Sequence, residues 1–230
     1  VPRRLAIPLG GVLLLGLFWC GAWWIATGML IDQINGWVAA NNGPDVAVAH
    51  GPIARDGFPL EIAARIPTVG ISSAGYSATT AALRLAIQPW KPDRIAFQTD
   101  DAVEFSATLG PALRIERVVG SMDRTADLRD RLTLDLLAPK GSLQGGRGDL
   151  TAARIRTVIS RSISDPTPVI VAIDAQGLAS SVAPETIDLK LEALWRGPTD
   201  LGDPPNLSGW RDAGGAFELR EVVLTNGAAR

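Results

Sequence analysis

One cysteine and one histidine make up the whole thiol and imidazole inventory of this chain of 230 residues. Cys20 lies inside an apolar run, so no intrachain disulfide and no cysteine-based metal site can form. His50 stands in an Ala/Val segment just before Gly51-Pro52, with no second histidine or thiol to share a metal or activate a nucleophile, and is read as structural. Excess charge is also missing. Lys+Arg number 22 against Asp+Glu 24, and no basic block stands out, so the electrostatic footprint of a nucleic-acid binder is lacking.

Catalytic signatures are lacking as well. There is no Gly-x-Ser-x-Gly elbow. Gly145-Gly146-Arg147-Gly148 has neither the lysine nor the following helix of a phosphate-binding loop and reads as a hairpin turn. Arg147-Gly148-Asp149 is a chance tripeptide, and Asp100-Asp101 is read as solvation rather than as an acid–base pair. The expectation is a protein that is not an enzyme and carries no cofactor or metal.

What is present is a long uncharged segment at the front. From Leu5 to Ile31 roughly 27 residues run without charge, more than the ~20 that cross about 30 Å of hydrocarbon as a helix. Phe18, Trp19, Trp23 and Trp24 fill the far half, where a cleaved signal peptide would carry small residues, so the segment reads as an anchor that stays attached. Arg3 and Arg4 precede the run and the next basic residue is Arg55, which orients the N-terminus to the cytoplasm and the rest to the periplasm of a bacterial inner membrane. Trp23, Trp24 and Trp37 suit the outer water–lipid interface.

Leu30, Ile34, Trp37 and Val38 continue at helical spacing until Asn41-Asn42-Gly43-Pro44 stops them. This divides the chain into 1–44, an anchor with a membrane-proximal helix, and 45–230, a β-rich domain. In the latter the period is two: Leu60, Ile62, Ala64 and Ile66; Leu83, Leu85 and Ile87; Ile95 and Phe97; Val103 and Phe105; Leu132, Leu134 and Leu136; Val169, Val171 and Ile173; Ile187, Leu189 and Leu191; Phe217 and Leu219. Asp56-Gly57, Asp165-Pro166, Gly197-Pro198 and Gly214-Gly215 punctuate these runs as turns, giving a mainly β fold with few short helices. The sheet is a curved antiparallel meander, either an open groove or a sandwich. Asp123–Arg131, charged with both signs, is read as a loop in preference to a short helix.

Three further motifs carry a resemblance: Gly57-Phe58-Pro59-Leu60-Glu61-Ile62, Gln88-Pro89-Trp90-Lys91-Pro92-Asp93 and Gly209-Trp210-Arg211-Asp212-Ala213-Gly214-Gly215, following the Arg3-Arg4 and Trp-rich anchor. In this order and spacing the chain resembles the alphaproteobacterial family known as domain of unknown function 2125. The resemblance implies a membrane-anchored periplasmic protein and no assigned activity, and it supplies no catalytic residues. It also implies strands beyond the segment matching Leu219–Asn226, so that the last strand here is an open edge of a truncated or atypical C-terminus. More distantly the arrangement is similar to AsmA-like envelope proteins, whose long sheets curve around an apolar groove. From the residues alone, Phe58 and Trp90, each beside proline, read as corner plugs.

The candidate ligand surface is aliphatic: Leu83, Leu85, Ile87, Ile95, Phe97, Val103, Phe105, Leu132, Leu134 and Leu136, one parity from each of four segments. As the lining of an open groove it would take phospholipid or acyl chains. In a closed sandwich the same residues would be ordinary core, and the protein would be a scaffold that binds another envelope protein instead.

Overall fold

The computed structural model describes residues 3–108, 112–124, 129–142, 148–162, 168–181, 183–197 and 207–226. A single long helix, α1 (Arg3–Asn41), comes first. It ends where the sequence places its stop: the Asn42 N–H closes the last turn on the Val38 carbonyl, and Pro44 cannot continue the ladder. The chain then enters a large antiparallel sheet, and the protein is mainly β.

In the sheet, β1 (Val46–Ala49) and β2 (Ala54–Asp56) both pair with β3 (Ile62–Ser73), which pairs with β4 (Tyr76–Gln88). Along β4 lie both β5 (Lys91–Thr99) and β6 (Val103–Ala107). Next come β7 (Ala112–Ile115) against β6 and β8 (Arg117–Arg124) against β5. They are followed by β9 (Arg129–Leu137) against β8 and β10 (Lys140–Ser142) against β7, then by β11 (Asp149–Thr151) and β12 (Arg154–Ser162) against β10 and β9. The long β13 (Val169–Ser180) receives both, and β14 (Ala183–Arg196) and β15 (Ala216–Asn226) complete the sheet. A short helix, α2 (Leu207–Asp212), lies between the last two strands.

Consecutive short strands therefore run end to end along one neighbour, and each pair is one long strand interrupted near its middle. The interruptions align across the sheet. Gly51 N–H donates to the Pro67 carbonyl beside Thr68 at φ 52°, and Asp100 N–H donates to the Ala82 carbonyl. Glu116 N–H reaches the Leu137 carbonyl beside Ala138 at φ 45°, Ala138 N–H the Ala153 carbonyl, and Ala153 N–H the Gln176 carbonyl beside Gly177 at φ 63°. We call the half that holds Ile62, Gln88 and Val169 the upper half, and the half that holds Ser73, Tyr76 and Ser180 the lower.

Bulges of this kind shift side chains from one face to the other. On β4, Leu83 stands opposite Thr99 while Thr80 stands opposite Val103, so β5 and β6 contain one residue more than the β4 stretch they follow. Because β4 itself is uninterrupted, Thr80 and Leu83 lie on opposite faces.

Few side chains are deeply buried. The helix contributes Thr27 and Leu30, β3 contributes Ala63, Ala64 and Ile66, and Leu194 is the largest fully enclosed side chain of the described strands. The Asp123–Arg131 segment, expected as a loop, is instead strand at both ends: Asp123 and Arg124 close β8, and Arg129, Asp130 and Arg131 open β9, with Asp123 opposite Arg131 and Arg124 opposite Asp130. Its mixed charges are cross-strand pairs, which favour pairing in an antiparallel ladder. Gly145-Gly146-Arg147 lies outside the described residues.

Candidate functional site: an apolar sheet face beside the helix

Directly paired residues in an antiparallel ladder share a face, so the register assembles the apolar positions into rows. The first row above the line of interruptions runs Ile62, Ile87, Ile95, Met122, Leu132, Ile159, Val171, Ala193 and Leu219. The second runs Ala64, Leu85, Phe97, Gly120, Leu134, Thr157, Ile173, Leu191 and Val222. A third joins Ile66 and Leu83 to Thr99, and Val118 to Leu136, Ile155, Ala175, Leu189 and Leu224. Thr99 bridges its two halves by accepting the Val118 N–H at Oγ1. At about 4.8 Å per strand and 3.3 Å per residue, nine strands and three rows make a surface of roughly 40 by 15 Å.

Eight of the ten candidate residues lie in these rows: Leu83, Leu85, Ile87, Ile95, Phe97, Leu132, Leu134 and Leu136. Val103 and Phe105 do not. They pair through Thr80 and Ala78 of β4, on the opposite face, together with Ile115 and Leu113. The reason is the extra residue between β5 and β6: counting by twos from Phe97 to Val103 passes over the bulge and misses the change of face. All ten side chains are half-buried, neither enclosed nor fully exposed.

Gly120 sets the relief of the face. A Cβ there would overlap the Cζ of Phe97 and come within 2.6 Å of the Thr133 carbonyl oxygen, so the tip of the ring occupies the space over the glycine. Leu113 covers Gly141 in the same way on the other face below the line.

The reverse face of the upper half is polar and ion-paired. Arg154 Nη2 lies 2.6 Å from Asp135, and Arg94 Nε lies 3.3 Å from Asp123. Arg84 donates from Nε to Asp56 at 2.7 Å and from Nη2 to Glu61 at 2.6 Å. The Arg84 hydrogen bond holds the Asp56 carboxyl below its usual range, and the hydrogen bond to Glu61 is the largest influence raising Arg84. This clamp fixes the β2–β3 corner, where Gly57 at φ 88° leaves no room for a Cβ beside Glu61 and Ala63.

The same corner docks on α1. Trp19 Nε1 donates to the Pro59 carbonyl at 2.9 Å and Trp23 Nε1 to the Glu61 carbonyl at 2.7 Å. Phe58 meets Trp23 edge-on at 5.2 Å between centroids, and the Arg55 guanidinium lies 3.9 Å from the centre of the Trp24 ring. Arg55 pairs with Ala64 and so shares the apolar face, which places the helix over its β3 end. Phe58 is not the buried plug expected: it is 53% exposed. Trp90 is likewise exposed at the β4–β5 turn, and α1 covers only one side of Phe58. Tethering of the helix to the corner by indole N–H groups was not legible in the sequence, whose only signal was the density of tryptophan in the apolar run.

The other concavities offer less. One of about 370 Å³ lies along β7, β10 and β11, where Arg114 pairs with Glu104 and Lys140 with Glu116, so both of its basic side chains are already ion-paired. Among the described residues no three His, Cys, Asp or Glu side chains gather as a metal site, and the His50 ring lies 2.8 Å from the neighbouring Gly51 carbonyl.

A family model described as "Uncharacterized protein conserved in bacteria (DUF2125)" matches residues 23–230, and the chain belongs to that family. The match begins at Trp23, the second of the two tryptophans that tie α1 to the corner. No curated protein and no solved structure matches the chain.

Proposed function

We propose that this member of an uncharacterised bacterial family is a single-pass protein of the inner membrane that holds acyl chains of phospholipid on its apolar sheet face, without catalysis. The observation that carries the reading is the set of mainly apolar rows across nine strands, interrupted by Thr99, Gly120 and Thr157 and covered, among the described residues, by helix only at the β3 end. Contiguous apolar surface beyond a few hundred Å² is unusual on a protein that meets only water, and this face spans roughly 600 Å². Anchoring is supported by α1, which is long and apolar enough to cross a membrane. The orientation, with N-terminus cytoplasmic and sheet periplasmic, rests on Arg3 and Arg4 before the span and the absence of a basic residue from there to Arg55.

Rows that are mainly aliphatic and carry no charged side chain discriminate little between headgroups. At the upper margin of the same face, however, Arg124 and Arg161 both reach the single carboxylate of Asp130, at 3.5 and 3.7 Å, leaving cationic capacity for a phosphate. A second reading is an interaction scaffold, favoured by β15: among the described residues it pairs only with β14, and its residues are exposed along its whole length.

The test is mass spectrometry of lipids retained by the full-length protein after detergent extraction. Wild type should carry phospholipid, and Leu85→Asp or Leu134→Asp, at half-buried positions in the middle row, should lose it while keeping the far-UV spectrum of a folded sheet. Lipid-free wild type, or equal retention by both variants, would remove the acyl-chain reading and leave the scaffold.

A further inference from the structure

The tryptophans are not spread evenly over the molecule. Trp19 and Trp23 meet the corner carbonyls of Pro59 and Glu61, just above the first residue of β3. Trp90 is at the turn beyond Gln88, level with Leu60, since Ile62 pairs with Ile87. At the far side Trp195 pairs with Val169 and Phe217, lies against Trp210 at 4.5 Å between centroids with the rings tilted by 41°, and meets Phe217 edge-on at 6.4 Å. With Trp24 beside Arg55, six of the seven tryptophans lie along the upper end of the sheet, and only Trp37 lies elsewhere. Three residues there leave large apolar side chains open: Leu60 is 63% exposed, Trp90 59% and Phe217 56%.

The helix supplies the level of the membrane. From Trp23 onward one face of it is packed, with Thr27 and Leu30 buried while Trp24, Ile25 and Met29 stay open on the other, whereas Val12, Leu13, Leu14, Leu15, Leu17 and Phe18 are all more than 60% exposed, with no face covered. The roughly 20 residues from Arg3 to Ala22 rise about 30 Å, the thickness of the hydrocarbon core. The span is thus shorter than the uncharged run in the sequence, and it ends at the corner bound by Trp19 and Trp23. Indole rings favour that depth because the ring is apolar and the N–H needs a partner. Arg124 and Arg161 lie at the same margin, where anionic phosphates would face them.

We infer that the upper margin of the sheet, at its described apolar positions Leu60, Trp90 and Phe217, is seated in the interfacial region of the membrane that α1 spans. The seat rests on the anchoring part of the proposed function and is independent of whether the face holds lipid. Its partner is the phospholipid interface itself. The upper margin forms an aromatic belt that sets the sheet upright on the bilayer, with the first aliphatic row next to the headgroups.

The experiment uses full-length protein with Cys20→Ser, reconstituted in vesicles of phosphatidylethanolamine and phosphatidylglycerol, with a nitroxide on a single cysteine at Leu60→Cys, Trp90→Cys or Phe217→Cys. Tyr76→Cys at the lower end and Leu15→Cys within the span serve as references, and circular dichroism checks each fold. Relaxation by oxygen, which concentrates in lipid, is compared with relaxation by a water-soluble nickel chelate. Positions 60, 90 and 217 should each favour oxygen at least threefold more than position 76. If position 15 is shielded from nickel but 60, 90 and 217 match position 76, the seat is refuted and the anchor stands. Shielding at 60 alone would refute the belt, since a helix-adjacent corner would suffice. Nickel access at position 15 would overturn anchoring and seat together.

Discussion

Gly120→Ala isolates the contact that shapes the middle of the apolar face. In an unhindered strand, alanine is better than glycine by about 0.5–1 kcal/mol, because it loses less backbone freedom on folding. Here the new methyl would overlap the Phe97 ring and sit 2.6 Å from the Thr133 carbonyl oxygen. Forcing atoms into such a space typically costs about 1–3 kcal/mol, so the variant should be destabilised by about 1–2 kcal/mol net. Phe97→Ala alone removes a half-buried ring, at about 2 kcal/mol, or half the loss for an enclosed phenylalanine.

The double variant separates the two contacts. With the ring gone, two of the three nearest obstacles to the methyl are removed and the Thr133 carbonyl remains, so the double change should cost at least about 1 kcal/mol less than the sum of the single changes. Urea unfolding of the full-length protein in detergent, followed by far-UV circular dichroism, measures all three. Additivity within about 0.5 kcal/mol, the level found for independent sites, would show that the ring does not rest on Gly120. Stabilisation by Gly120→Ala would show that the strand has room there, and the face would not be as described.

Two other substitutions test the corner and its clamp. Arg84→Met should cost about 1 kcal/mol at neutral pH, since its carboxylate partners are part-exposed. The lowered pKa of Asp56 means its contribution is present above the ordinary carboxylate value of about 3.9 and is lost as pH falls through the lower folded value, so the variant should have a flatter acid limb in thermal unfolding; coincident limbs would refute the clamp. Phe58→Ala should cost about 1–2 kcal/mol, because half the ring is already in solvent, and should alter the emission of Trp23; a loss above about 3 kcal/mol would restore the buried plug.

Alternation of apolar residues was enough to read most of the upper half. Leu85 pairs with Phe97 and Ile87 with Ile95, Leu83 lies on the same face opposite Thr99, and Leu132, Leu134 and Leu136 extend that face, because residues two apart on a strand share a side. The stop at Asn41–Pro44 was equally plain. The line of interruptions was not, since two of its positive-φ positions are Thr68 and Ala138, residues that give no warning of a left-handed backbone. Without that line, Val103 and Phe105 fall on the wrong face. The exposure of Phe58 and Trp90 was hidden for a different reason: proline and glycine announce a corner, but whether another layer covers it is a tertiary fact. The indole hydrogen bonds of Trp19 and Trp23, 40 and 38 residues from their acceptors, were beyond local pattern altogether.

The line also limits what the face can do. Above it the rows are mainly aliphatic, but below it the same face carries Ser72, Ser77 and Ser106 in one register and Thr79, Glu104, Arg114 and Lys140 in the next. The apolar residues of the lower half, including Val48, Ile71, Phe105 and Leu113, point to the other side. A hydrocarbon chain lying on the upper rows would therefore reach ion-paired Glu104 and Arg114 after roughly 15 Å, about the depth of one leaflet's hydrocarbon. Passing further would strip water from charged side chains without offering them partners, at several kcal/mol for each. A conduit needs one apolar side along its full length. Reversal at the line instead suits a surface that holds chains close to the membrane margin, and on the proposed reading the protein retains lipid at the bilayer surface rather than carrying it to the far end of the sheet.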